Sequence, residues 1–175
     1  MSQMIVLWGY MGCGKSTVGK ALAQHLTYPL VDLDLLIESE QKLSIAEIFD
    51  QMGSIKFRQM ERQTLEGLLQ RPDSLILSLG GGTPCYFDQA KRLVEHPNTQ
   101  VFYLKYTPKY LSDRLFEERD QRPLIAHLDQ KEALEEFVAK HLFERQQFYD
   151  QATHTLLCDH KSVAEIVSEI QQSLV

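Results

Sequence analysis

The chain has 175 residues, 43% of them hydrophobic and 24% charged, with six prolines, which sets aside disorder, collagen-like repeats and a disulfide scaffold. A formal net charge of −6 and a pI near 5.5 leave no basic stripe for nucleic acid, so any cationic site must be a local cluster suited to a small anion. Three scattered cysteines (Cys13, Cys85, Cys158) form neither a metal knuckle nor a disulfide framework, and neither a basic leader nor a membrane-length apolar run is present, so a soluble cytoplasmic protein is expected.

The first predicted strand is Met4–Trp8. It runs into Gly9-Tyr10-Met11-Gly12-Cys13-Gly14-Lys15-Ser16, which fits G-x-x-x-x-G-K-[ST] at every fixed position, and Thr17-Val18-Gly19-Lys20 then opens a helix. The strand–loop–helix setting is what the motif's chemistry needs. Gly12 and Gly14 let successive backbone N–H groups turn toward one anion, and the helix N-terminus adds its positive end. Lys15 can neutralise charge on the β- and γ-phosphates of ATP, and the Ser16 hydroxyl can coordinate Mg²⁺. Cys13 lies inside the loop beside Lys15, where a thiolate is favoured; ATP-protectable inactivation by thiol reagents is the expectation, against the plainer reading of a small residue that fits the loop.

The second short strand, 30–33, carries Asp32-Leu33-Asp34. In extended chain, residues two apart share a face, so both carboxylates can face the phosphate loop, one toward the metal's water and one toward an acceptor hydroxyl. A helix N-cap followed by solvated acids is the alternative. Further on, Arg58 and Glu61 lie three apart on a predicted helix, a spacing that a simple surface pair also satisfies.

A third strand, 75–79, ends in Gly80-Gly81-Gly82, at the carboxyl edge where open α/β sheets bind ligands and where glycine lets a substrate approach the backbone. The fourth is 100–104. Segment 116–128 loses its periodicity, is highly charged and holds Arg122-Pro123; it reads as a mobile surface loop. A helix over 131–150 puts Leu134, Val138, Leu142 and Tyr149 on one side and Arg145 on that same apolar side, which is costly unless Arg145 meets an anion or a cavity. The fifth strand is 153–157, and Val163, Ile166, Val167, Ile170 and Leu174 mark a final amphipathic helix. The alternation predicts one domain over 1–175, a parallel sheet with helices on both faces.

The P-loop, Asp32-Leu33-Asp34, Phe57-Arg58-x-x-Glu61, Gly80-Gly81-Gly82, Arg122-Pro123-Leu124 and Arg145-x-x-x-Tyr149 resemble, in order and rough spacing, the motifs of the shikimate kinases. The resemblance spans nearly the whole chain. It implies a three-layer α/β/α fold with a five-stranded parallel sheet in order 2-3-1-4-5, a mobile lid at about 116–128 and an acceptor-binding segment at about 34–61. It implies transfer of the ATP γ-phosphate to the 3-hydroxyl of shikimate by a monomer that engages no nucleic acid or membrane. Residue by residue, the P-loop with Thr17 serves the nucleotide, Ser16 and Asp32 serve Mg²⁺, and Asp34 binds and orients or deprotonates the attacking hydroxyl. Arg58 and Arg145 hold the shikimate carboxylate, Glu61 steadies Arg58, Gly80, Gly81 and Gly82 meet the substrate, and Arg122 closes over the transferring phosphate.

Two departures stand out: the lid lacks glycine and is acid-rich, and Ile125 stands where leucine is usual. Arg114 and Lys161 are candidate adenine contacts. A gluconate kinase or an aminoshikimate-type kinase shares the P-loop without requiring the Arg58 and Arg145 pair. A nucleoside monophosphate kinase would want more lid arginines, and a non-catalytic nucleotide-binding module would show a damaged Asp34, Lys15 or Arg122.

Overall fold

The computed structural model describes residues 3–174. Strand β1, Met4–Trp8, is buried at all five positions, as an uninterrupted apolar run predicts for the centre of a parallel sheet covered on both faces. It pairs with β3 (Leu75–Ser78) on one side, Met4 opposite Leu75, and with β4 (Thr99–Lys105) on the other, Val6 opposite Val101. β2 (Leu30–Asp32) adds to β3 and β5 (His154–Leu157) to β4. All pairings are parallel and the order is β2-β3-β1-β4-β5, as expected.

Helices α1 (Lys15–Leu26), α2 (Leu33–Gln41), α3 (Ile45–Leu69), α4 (Gln89–Glu95), α5 (Pro108–Glu118), α6 (Lys131–Tyr149) and α7 (Val163–Ser173) occupy the intervals. α3 and α7 both start on capping boxes, Ser44 with Glu47 and Ser162 with Glu165, in which each partner satisfies a backbone N–H of the other's end. β1 has the expected bounds and the other strands differ by one residue at an end, β4 being longer by one at each.

Two segments carry detail that matters for the site, the second of them departing from expectation. α3 is two helical pieces meeting at Gly53, whose φ of 81° and ψ of 168° only glycine adopts freely; the break re-aims the piece that carries Phe57, Arg58 and Glu61. Segment 116–128 is not irregular throughout. α5 runs to Glu118, a 3-10 turn covers Arg119–Gln121, and Ile125 is fully buried. Its charged residues hid a local turn network, including Ile125 N–H to Arg122 O at 3.0 Å.

α6 is fastened across the sheet's carboxyl edge at its end. The buried Trp8 indole N–H donates to Tyr149 O at 3.1 Å, and the Tyr149 hydroxyl donates to Gly81 O. One residue thus ties the first strand, the glycine loop and the helix bearing Arg145.

Candidate active site

The phosphate loop, Asp32 and the glycine turn lie at the carboxyl ends of β1, β2 and β3, while Arg58 and Glu61 come from α3 and Arg145 from α6. The loop after β1 enters α1 at Lys15 without a side-chain cap, and Gly14 is left-handed at φ 85°. The first amide of this turn with a backbone partner is Val18, donating to Gly14 O at 2.9 Å, so the N–H groups just before it remain free for an anion. Lys15 Nζ folds over the loop and donates to Gly9 O and Tyr10 O, both at 2.9 Å.

A cleft opens here between Gly12, Lys15, Ser16 and Thr17 on one wall and Asp32, Asp34, Gly80 and Gly81 on the other, with Arg114, Glu118 and Arg122 at its side. Ser16 Oγ donates to Asp32 Oδ2 at 3.0 Å. A hydroxyl and a carboxylate side by side, next to a phosphate cradle, suit Mg²⁺, which takes few protein oxygens and completes its shell with phosphate and water.

Asp32 and Asp34 meet the same cleft, although not as an extended pair. Asp32 ends β2 and caps α2, accepting from the Asp34 and Leu35 N–H groups through Oδ1, while Oδ2 faces Ser16. The capping and metal-facing readings therefore coexist on one side chain, and Asp34 is helical. Asp34 Oδ1 is buried with no hydrogen-bond partner, packed where a Cβ on Gly80 would stand 3.0 Å away. Burial, then the Glu61 and Asp32 charges, push its carboxyl up to about 6 despite the pull of Lys15 and Arg58. A buried carboxylate with an idle oxygen is ready to accept a proton or a hydroxyl.

The Arg58–Glu61 pair is not a surface pair. Glu61 is 1% exposed and meets Arg58 Nη1 at 2.6 Å through Oε2, with Oε1 accepting from Thr83 Oγ1 at 2.6 Å. Arg145 is half-buried in a small cleft with Leu124, Phe137 and His141 and has no ion-pair partner among the described residues. Burial pushes the Cys85 thiol up to about 11 against the pull of the Arg145 and Arg58 charges, so both guanidinium groups lie in its neighbourhood. An idle carboxylate and the Arg58 cation thus lie along the glycine turn, Asp34 against Gly80 and Arg58 against Gly82, while Arg145 lines a cleft of its own.

Several expected contacts are refined. The Cys13 side chain is fully buried beneath the loop and its backbone N–H donates to Tyr10 O at 3.3 Å, so Cys13 does not line the cleft. Native protein is expected to expose at most one of its three thiols, Cys85, to an aromatic disulfide reagent, with Cys13 and Cys158 reacting only on unfolding; ATP-sensitive labelling of Cys13 in the native state would contradict this burial. Gly82 abuts Arg58, a Cβ there falling 2.5 Å from Nη2. Of the adenine candidates, Arg114 stands beside Gly14, whereas Lys161 is occupied by Glu169. Arg122 reaches the cleft paired to Glu118 at 2.6 Å, with Nε buried and unpartnered. Glu118 is a cleft residue outside the sequence expectations, although its i,i+4 spacing to Arg122 is a usable signal. Thr83 left none, because its partner lies 22 residues away on another element.

The family model described as shikimate kinase matches residues 11–175. A shikimate kinase of Flavobacterium johnsoniae is 43% identical over 168 residues, covering 96% of each chain. The crystal structure of shikimate kinase from Bacteroides thetaiotaomicron superposes with a TM-score of 0.88 at 31% identity over 98% of both chains. That of Acinetobacter baumannii shikimate kinase in complex with shikimate gives 0.81 at 31% identity, over 99% of this chain and 93% of the other. With a phosphate loop and paired aspartates lining one cleft, and a family match over nearly its whole length, the chain belongs to the shikimate kinase family.

Proposed function

We propose that this protein transfers the γ-phosphate of ATP to the 3-hydroxyl of shikimate, giving shikimate 3-phosphate and ADP. The observation that carries the reading is the idle, buried Asp34 oxygen, which shares the cleft of the phosphate loop and feels the charges of Lys15 and Arg58. Shikimate brings one carboxylate and several hydroxyls, which is the complement of two arginines and an acceptor-only carboxylate. Arginine grips a planar carboxylate through two N–H groups at once.

In this scheme the loop amides and Lys15 hold the β- and γ-phosphates, and Arg58 and Arg145 fix the acceptor ring by its carboxylate. Asp34 then aligns the hydroxyl in line with the γ-phosphorus and takes its proton as the new P–O bond forms and the bond to the ADP oxygen breaks. Ser16 and Asp32 would hold Mg²⁺, which supplies charge neutralisation on the phosphates. Arg122, on the segment 116–128 that serves as the lid, covers the transferring group and helps exclude water, which would otherwise compete as acceptor. A monomer in a reducing cytoplasm, without nucleic-acid or membrane partners, is the proposed setting; the three cysteines are unpaired, and among the described residues no helix is long and apolar enough to cross a membrane.

Arg145→Ala is expected to raise the KM for shikimate about 10- to 100-fold, the loss of a charged hydrogen-bonded grip, with the KM for ATP unchanged. Steady-state kinetics with each substrate varied in turn checks this. An equal rise in both KM values would place Arg145 outside the acceptor site.

A further inference from the structure

The segment after the glycines converges on one side chain. Gly82 leaves room for Arg58 Nη2, which a Cβ would meet at 2.5 Å. The Tyr86 ring covers the Arg58 guanidinium, its centroid 4.4 Å from Cζ. Thr83 Oγ1 donates to Glu61 Oε1 while Oε2 receives Arg58 Nη1, both at 2.6 Å.

These contacts settle different freedoms of the same guanidinium. Thr83 and Glu61 are buried, at 0% and 1% exposure, so the hydroxyl is what stops the carboxylate from turning about its last bond. With Oε1 fixed, Oε2 presents one direction to Arg58. Tyr86 holds the plane of the guanidinium from one face, which leaves its N–H edge to a planar anion. Pro84 stiffens the intervening 3-10 turn, and Phe87 and Asp88 follow in left-handed backbone at φ 51° and 56°, turning the chain sharply just beyond Tyr86. Neither Thr83 nor Tyr86 lines the cleft around Lys15.

We propose that Thr83 and Tyr86 are positioning residues that hold the Arg58 guanidinium edge-on to the acceptor, so that loop 80–86 sets affinity for a planar carboxylate on the substrate. This rests on the reading of Arg58 as a carboxylate clamp.

The test is steady-state kinetics of Thr83→Val, Thr83→Ser, Tyr86→Leu and Tyr86→Phe, with Thr83→Val and Tyr86→Leu repeated in an Arg58→Ala background. Thr83→Val and Tyr86→Leu are expected to raise the KM for shikimate roughly five- to twentyfold, with kcat and the KM for ATP within about twofold of the parent. Thr83→Ser and Tyr86→Phe keep the hydroxyl and the ring and should stay near the parent. In the Arg58→Ala background, Thr83→Val and Tyr86→Leu should add less than about twofold, because the group they position is gone. Tyr86 is 44% exposed, so Tyr86→Leu leaves the core intact and decides the matter even if Thr83→Val unfolds. A normal Arg58→Ala effect with Tyr86→Leu silent, or effects that add in full without Arg58, would overturn the proposal while sparing the acceptor site. An Arg58→Ala protein with unchanged KM for shikimate would instead overturn the acceptor-site reading and the inference with it.

Discussion

Asp34→Asn is expected to lower kcat by about 10²- to 10⁴-fold while making the protein more stable at neutral pH. Both effects come from one position. The carboxylate is buried, has an oxygen with no partner, and sits with Glu61 and Asp32 for neighbours, which together push it up to about 6 from an ordinary 3.8. A carboxyl whose value is raised on folding binds its proton more tightly in the folded state. Its stabilising contribution is therefore fully present below the unfolded value and is lost as the pH rises from about 4 to 6. Above that range the charged side chain costs up to about 3 kcal/mol, the free-energy equivalent of the rise, and the amide avoids this cost. Thermal melts of both proteins should show Asp34→Asn ahead at pH 7.5 and level near pH 4. In the parent enzyme, kcat/KM for shikimate should fall below about pH 6, as the group that receives the hydroxyl proton becomes protonated, and the residual activity of Asp34→Asn should lack that limb. A mutant that keeps full turnover, or one less stable than the parent at pH 7.5, would contradict this account of Asp34.

Lys15→Ala is expected to reduce kcat by roughly 10²- to 10³-fold with little change in shikimate affinity, because transfer depends on neutralising phosphate charge as it shifts toward the leaving oxygen. Lys15 Nζ now donates to Gly9 O and Tyr10 O, so it lies within the cradle before nucleotide arrives. The loop itself is held by backbone, including Cys13 N–H to Tyr10 O at 3.3 Å, and should survive the change. Arginine should not substitute well: its wide planar fork cannot occupy the place of a compact ammonium beneath two carbonyls. Pre-steady-state transfer and shikimate titration together check this. Unchanged transfer with weakened shikimate binding would move Lys15 from the phosphate to the acceptor.

Much of this site was legible in the chain because its signals are local. The phosphate loop declares itself in eight consecutive residues, and the alternation of apolar runs with helix-period segments fixes a parallel sheet. The aspartate pair was found for a partly mistaken reason: Asp34 turns toward the cleft as part of α2, with Asp32 capping that helix, rather than as a residue on an extended strand. The break at Gly53 was hidden because a single glycine within a long helical pattern is compatible with either continuity or a bend, and packing makes the choice. The order within 116–128 was hidden by its charge, which masks the one buried apolar anchor, Ile125. Thr83 and Tyr86 could not be read at all, since their importance lies in contacts to Glu61 and Arg58 on another element. Tyr149 was legible as a buried residue on the apolar side of its helix, but its hydroxyl contact with Gly81 across the sheet's edge was not.

The most direct test of the account is ADP release by the purified protein with Mg-ATP, comparing shikimate, quinate, gluconate and no acceptor. Turnover well above the no-acceptor rate with shikimate alone is the predicted result. Turnover with gluconate in its place would leave the phosphate loop's chemistry standing and discard the acceptor site built on Arg58 and Arg145, and nucleotide binding without turnover on any acceptor would contradict the assignment as a kinase.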